Sequence, residues 1–155
     1  MTEIEFRNKL DIVFAKIIGC AFNSYNYWHY GVDELVFEAG MYVELEDAGI
    51  HPIRQEEFPI YYKRRPTPIK RKIDLVARDP EIGNVILELK TLDFIGDTQR
   101  KQLWSYMKLT NIRFGMLINF GPKGVFTERW ELEEKTGFCH RYESCQNQSQ
   151  KSAIQ

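Results

Sequence analysis

Asp74, Glu88 and Lys90 are three side chains whose types and spacing could do chemistry together. Lys90 follows Glu88 by two positions at the end of the run Val85-Ile86-Leu87-Glu88-Leu89, which reads as a strand. Side chains alternate across a sheet, so Glu88 and Lys90 would share one face, about 6.6 Å apart along the chain, with Leu87 and Leu89 on the other. Asp74 lies in the preceding run Ile73-Asp74-Leu75-Val76-Ala77, and antiparallel pairing about a turn near Gly83 would bring its carboxylate beside Glu88. A carboxylate in so apolar a strand needs solvent, a cation or a hydrogen-bond donor. Two acids and an ammonium on one surface suit magnesium, which prefers an octahedral shell of oxygens from one or two carboxylates, waters and substrate phosphate. The lysine beside it could orient an attacking water. The plainer alternative is an exposed sheet face with a modest Glu88–Lys90 ion pair.

Charge supplies the second candidate feature. The formal net charge is only -1, but it is unevenly spread, from strongly acidic over residues 1–50 to basic over residues 51–113. Lys63, Arg64, Arg65, Lys70, Arg71 and Lys72 crowd into one stretch, punctuated by Pro66 and Pro68, that reads as a basic loop. It is either a solvated hairpin tip or a phosphate-binding loop.

These residues need elements to position them. Thr2 and Glu5 have capping-box spacing, and Phe6, Leu10, Val13, Phe14, Ile17 and Ala21 recur at steps of three and four, so a helix is expected over residues 3–22. Asn23 to Tyr30 reads as an aromatic connector. A second helix is expected from about Val32 to Ala48, with Val32, Leu35, Ala39, Tyr42 and Val43 on its apolar side and Gly49 and Pro52 as stop signals. Phe58 to Tyr62, Ile73 to Ala77 and Val85 to Leu89 then form an antiparallel three-strand meander, with Pro59 best placed near an end or edge. Asp97 or Thr98 can cap a third helix reaching Leu109; Phe114 to Phe120 is a further strand, and Val125 to Leu132 adds one more. The pattern is α+β, a mixed sheet of four to five strands flanked by helices in the order ααβββαβ. A single domain is expected over residues 1–145, with a disordered polar tail over 146–155.

No apolar run has the roughly 18 residues a membrane span needs, and the first five residues lack the character of a secretory signal, so an intracellular protein, cytoplasmic or nuclear, without a membrane partner is expected. Cys20, Cys139 and Cys145 lack zinc-ligand spacing and read as reduced packing or surface residues. His29, His51 and His140 also lack ligand spacing, and Trp28, Trp104 and Trp130 read as core.

Several segments together resemble a known family. Gly31-Val32-Asp33-Glu34-Leu35-Val36-Phe37, Tyr42-Val43-Glu44-Leu45, Ala48-Gly49-Ile50, Arg54-Gln55 with Ile60-Tyr61-Tyr62, Ile73-Asp74-Leu75-Val76, Glu88-Leu89-Lys90, Gln102 to Lys108 and Gly115 to Gly121 follow the order and approximate spacing of the GxxExxY family, a branch of the PD-(D/E)XK nuclease-like superfamily. Phe37 stands where that family has its tyrosine, and Gln99 where a histidine often stands. The resemblance implies a restriction-endonuclease-like core and a nuclease that hydrolyses DNA, with RNA as the second choice, or a non-catalytic module of the same fold that binds nucleic acid or a partner protein. It implies that Asp74, Glu88 and the Leu89 carbonyl hold Mg2+ or Mn2+, that Lys90 positions water, and that Gln102 and Tyr106 match the QxxxY signature that braces the catalytic strand or touches the substrate. Glu34 matches the family's helix glutamate and either completes the metal shell or lies on the helix flank, whereas Glu38 reads as a surface acid. The basic residues 63–72 would contact nucleic acid, and a homo-oligomer is allowed.

Overall fold

The computed structural model describes residues 1–144; Cys145 and the expected tail over 146–155 lie outside the described residues. The elements are α1 (Glu3–Trp28), α2 (Glu34–Asp47), β1 (His51–Tyr62), β2 (Arg65–Asp79), β3 (Gly83–Lys90), α3 (Asp97–Thr110), β4 (Phe114–Gly121), β5 (Gly124–Leu132) and β6 (Cys139–Arg141). The strands lie side by side in chain order, all neighbours antiparallel except β3 and β4, which run parallel and are joined by α3. This is the expected mixed α+β sheet, restriction-endonuclease-like, with six described strands where four to five were expected. The additional β6 is a three-residue strand, too short to show an alternating pattern in the sequence.

Alternation along the strands divides the core between two faces. Leu75, Ala77, Val85, Leu87, Leu89, Met116 and Ile118 pack under α1 and α2. Val76, Ile86 and Leu117 pack with Leu103 and Met107 of α3 on the opposite face.

The first helix is capped as expected: Thr2 Oγ1 accepts from the Glu5 amide and Glu5 Oε2 from the Thr2 amide, both at 3.1 Å. Its inward row Leu10, Val13, Phe14, Ile17 and Ala21 is also as expected. The helix runs six residues further, however, so Asn23 to Trp28 is not a connector. Tertiary contacts override the weak local propensity there: Ser24 is buried, the Tyr25 hydroxyl donates to the Gly121 carbonyl at 2.7 Å, and the Tyr25 ring stacks on Phe37. Trp28 is not core but substantially exposed.

The second helix is rotated relative to expectation. Leu35 and Val43 are 60% and 56% exposed, and the buried row is Phe37, Glu38, Met41 and Leu45. Phe37 selects that row by stacking face to face on Phe120, with ring centroids 4.1 Å apart.

The meander is present, but its first two strands are much longer than expected. β1 and β2 pair from His51 opposite Arg78 to Tyr62 opposite Arg65, whereas β2 pairs with β3 only from Leu75 to Asp79. Beyond Leu75 the two outer strands therefore continue as a two-stranded arm, and β1 is an edge strand, which suits Pro59. The alternation slips where the arm leaves the sheet. Ile73 and Val76, three residues apart, both pack in the cluster beneath α3.

Gly115 sets the approach of α3 to the sheet. A Cβ at this position would lie 2.8 Å from both Leu103 Cδ1 and Met107 Sδ. Gly115→Ala is expected to cost about 1–3 kcal/mol through overpacking, measured as a lowered urea midpoint without a change of slope.

Candidate active site

Asp74 and Glu88 meet where β2 leaves β3. Leu75 and Leu87 are the last paired residues, so Asp74 and Glu88 follow one step beyond, and the β2 side of Glu88, Leu89 and Lys90 has no strand partner among the described residues. On their other side these three residues pair with Leu117, Ile118 and Asn119 of β4. This end of β3 is thus held by β4 on one side and left by β2 on the other.

Glu88 is 1% exposed. Its Oε1 lies 3.1 Å from Lys90 Nζ, while its Oε2 is buried without a hydrogen-bond partner among the described residues. Lys90 Nζ also donates to Gln102 Oε1 at 3.0 Å, and Gln102 Nε2 donates to the Tyr106 hydroxyl at 3.1 Å. Tyr106 thereby orients the amide so that its oxygen faces the ammonium. Asp74 is half-buried and accepts a long hydrogen bond, 3.5 Å, from Gln55 Nε2. Glu34, half-buried on the first turn of α2, lies within the electrostatic reach of Lys90 and Asp74.

The titration behaviour follows from this arrangement. Burial pushes the Glu88 carboxyl up to about 7; the charges of Asp74 and Glu34 add to the rise and Lys90 opposes it. Glu34 is also raised, by burial first, with Asp74 and Glu38 adding and Lys90 opposing. Burial works against the charge on Lys90, but Glu88, supported by Glu34 and Asp74, outweighs it and leaves the ammonium above its ordinary value. Four ionisable groups therefore share one field in which negative charge is in excess.

The donor set suits a hard divalent cation. Its donors are carboxylate oxygens, one of them buried and unmatched. Among the described residues no three acidic, histidine or cysteine side chains are drawn together into a ready metal cage.

The basic segment differs from the expected loop. Only Lys63 and Arg64 form a turn, between the paired Tyr62 and Arg65, and both have left-handed backbone, with φ of 47° and 63°. This is the geometry of a tight two-residue hairpin turn whose backbone twist matches that of the strands. Arg65, Lys70, Arg71 and Lys72 belong to β2, and all six basic residues are exposed. Alternation puts Arg71 on the side of buried Ile73, and Lys70 and Lys72 on the other side of the arm.

The sequence pattern missed several supporting residues. Glu38 is not a surface acid; it is 2% exposed and accepts from Arg54 Nε at 3.0 Å and from Gln55 Nε2 at 3.1 Å. Its signal was its place in the row with Met41 and Leu45, at steps of three and four. Asn119, the strand partner of Lys90, exchanges two 2.8 Å hydrogen bonds with the Leu92 backbone and so fixes the exit from β3. An amide inside the otherwise apolar run Phe114 to Phe120 was the available signal. Gln99 does not join Gln102 and Tyr106 but accepts from the Gly96 amide and caps α3. The same helix is tied to β5 by Arg100, whose Nη2 lies 2.6 Å from buried Glu128.

A mixed sheet thus carries two acids and a lysine at the end of β3 that β2 has left. The chain belongs to the PD-(D/E)XK nuclease superfamily, whose family model matches residues 11–131. A solved structure of SSO0001 is similar at 18% identity with a TM-score of 0.49, over 79% of this chain and 57% of that one. The chain thus spans a little over half the length of that protein. No curated protein matches it, and no helix among the described residues is long and apolar enough to cross a membrane.

The raised carboxyl has a measurable consequence for stability. A folded-state value of about 7 against an ordinary 4.5 means that the native protein binds the extra proton in that interval, so Glu88 lowers stability as pH rises from 4.5 through 7. In metal-free protein, Glu88→Gln should therefore gain up to about 3 kcal/mol at pH 8 and little at pH 5. Chemical denaturation at the two pH values measures the difference.

Proposed function

We propose that this protein is a divalent-metal-dependent nuclease of the GxxExxY branch, acting inside the cell on phosphodiester bonds, with DNA as the first substrate and RNA as the second. The observation that carries the reading is the buried, half-matched Glu88 carboxylate beside Asp74 and Lys90 at an open strand end. Asp74, Glu88, the Leu89 carbonyl and Glu34 would hold Mg2+ or Mn2+. When bound, the metal supplies Lewis acidity toward a phosphate and a water of lowered pKa.

The chain's own groups do the rest. Two of the three Lys90 N–H donors are engaged by Glu88 and Gln102, which leaves the third to orient water or to meet charge developing on phosphate. Tyr106 holds Gln102, and Gln102 holds Lys90, so the pair acts by keeping the ammonium in place. Glu88, charged only near and above neutrality, makes its second oxygen most available to a cation at neutral to alkaline pH.

The absence of a ready cage among the described residues favours one second reading, a non-catalytic module of the same fold that binds nucleic acid or a partner protein. Incubation with single-stranded, duplex and branched DNA and with RNA, in magnesium, manganese and chelator, separates the two. The expected outcome is cleavage that requires the cation; binding without cleavage in every metal supports the module. Asp74→Asn, Glu88→Gln and Lys90→Ala should each remain folded and lose cleavage by about 100-fold or more, and double substitutions should fall short of the product of the singles. Full cleavage by any of the three, on the same substrate, refutes the assignment.

The arm supplies a separate test. If Lys70 and Lys72 face duplex phosphates, replacing both by alanine should make the slope of log affinity against log salt shallower by about 0.9 for each lost contact. Arg71→Ala, on the other side of the arm, should leave the slope unchanged.

A further inference from the structure

Gln55 lies inside β1 yet has left-handed backbone, with φ of 55°. It falls between Arg54, paired with Leu75, and Glu56, paired with Ile73, and so sits opposite Asp74, where the alternation of β2 also slips. A non-glycine residue in this region of φ within a strand is strained, and such strain persists only where the surroundings enforce it. Neither a turn nor a chain reversal requires it here.

The side chain explains what the distortion achieves. Gln55 Nε2 donates to both oxygens of buried Glu38, at 3.1 and 3.3 Å, and reaches Asp74 Oδ1 at 3.5 Å. One amide nitrogen thus spans two carboxylates, one anchored in α2 and the other on the strand that carries the site. Glu38 Oε1 also accepts from Arg54 Nε at 3.0 Å, so the anchor does not depend on Gln55 alone. The chemistry of the donor matters. A lysine or arginine in this place would hold Asp74 by neutralising it, whereas an amide orients the carboxylate and leaves its charge for a cation.

We propose that Gln55 is a positioning residue: its strained backbone turns the amide inward so that it bridges Glu38 and Asp74 and fixes the Asp74 carboxylate in the orientation that receives the divalent metal. This rests on the metal-site reading of Asp74 and Glu88 and names a residue that acts on that site from outside it.

The decisive variant is Gln55→Gly, because glycine adopts positive φ without strain. It removes the bridge while relieving the backbone. The expected result is a variant that stays folded in metal-free buffer, relief of the backbone offsetting part of the lost hydrogen bonds to Glu38, with manganese affinity by calorimetry weakened about tenfold, the lower end of the effect seen when a group that orients a metal ligand is removed. A structural role alone would lower the melting temperature and leave the manganese affinity of the folded variant at the parental value, and that parental affinity overturns the proposal. Gln55→Lys, which can still span to Asp74 but competes for its charge, should also weaken manganese binding. If the parent itself takes up no manganese, the metal reading fails, and a metal-free crystal structure of Gln55→Gly then decides the role of Gln55. Asp74 spread over several rotamers supports it, and Asp74 unmoved with its parental orientation overturns it.

Discussion

A carboxylate buried on a strand with one oxygen matched and the other unmatched is the constraint on which this molecule is built. Leaving a buried charged oxygen unpaired costs several kcal/mol, and a single nearby ammonium offsets only part of that. The site can persist because both faces of β3 are anchored in apolar clusters, through Leu87 and Leu89 on one face and Ile86 on the other. The polar residues around Glu88 hold the partner still. Tyr106 orients Gln102, Gln102 meets Lys90, and Asn119 fastens the chain just beyond Lys90.

The other buried acids show the contrast. Glu128 and Glu131 lie on β5 with little exposure, as Glu88 does on β3. Burial alone would lift Glu128, but hydrogen bonds from Arg100 and Trp130 and the charge of Arg141 bring it below the usual carboxylate range. Glu131 is likewise lowered against burial by Arg7 and Arg113. Their arginine partners stabilise the charged form of both acids, and through Arg7 and Arg100 tie α1 and α3 to β5. Glu88 differs in having one cation partner and a like-charged neighbourhood. The three side chains have similarly little exposure, but Glu88 is both the more heavily desolvated and the less completely balanced, and the two effects together set it apart from the structural acids.

Much of this was legible in the sequence, for identifiable reasons. The α1 row and the three-strand meander could be read because Leu10 to Ala21 and the runs around Leu75 and Leu87 carry clear periodicity. The juxtaposition of Asp74 with Glu88 followed from one turn at Gly83. The α2 face could not be read in the same way. Two apolar rows compete along that helix, and the one through Phe37 and Met41 prevails only because Phe120, more than eighty residues away, offers its ring. The competing row, through Leu35 and Ala39, puts Glu38 in solvent. The arm was hidden because prolines and basic residues break the alternation that marks a strand, and the distortion at Gln55 has no local sequence signal, since glutamine gives no hint of left-handed backbone.

The two-stranded arm has a consequence for how the protein behaves in a crowded solution. Where β2 has parted from β3, both margins of the ribbon have no strand partner among the described residues, an invitation for a second chain to add itself as a strand. Pro59 stands on one strand of the ribbon and Pro66 and Pro68 on the other. Each lacks the amide hydrogen that a pairing strand would need, and the dense positive charge between them repels a copy of itself. The same residues that hide the strand in the sequence thus interrupt the template that the ribbon's open margins would offer a foreign strand.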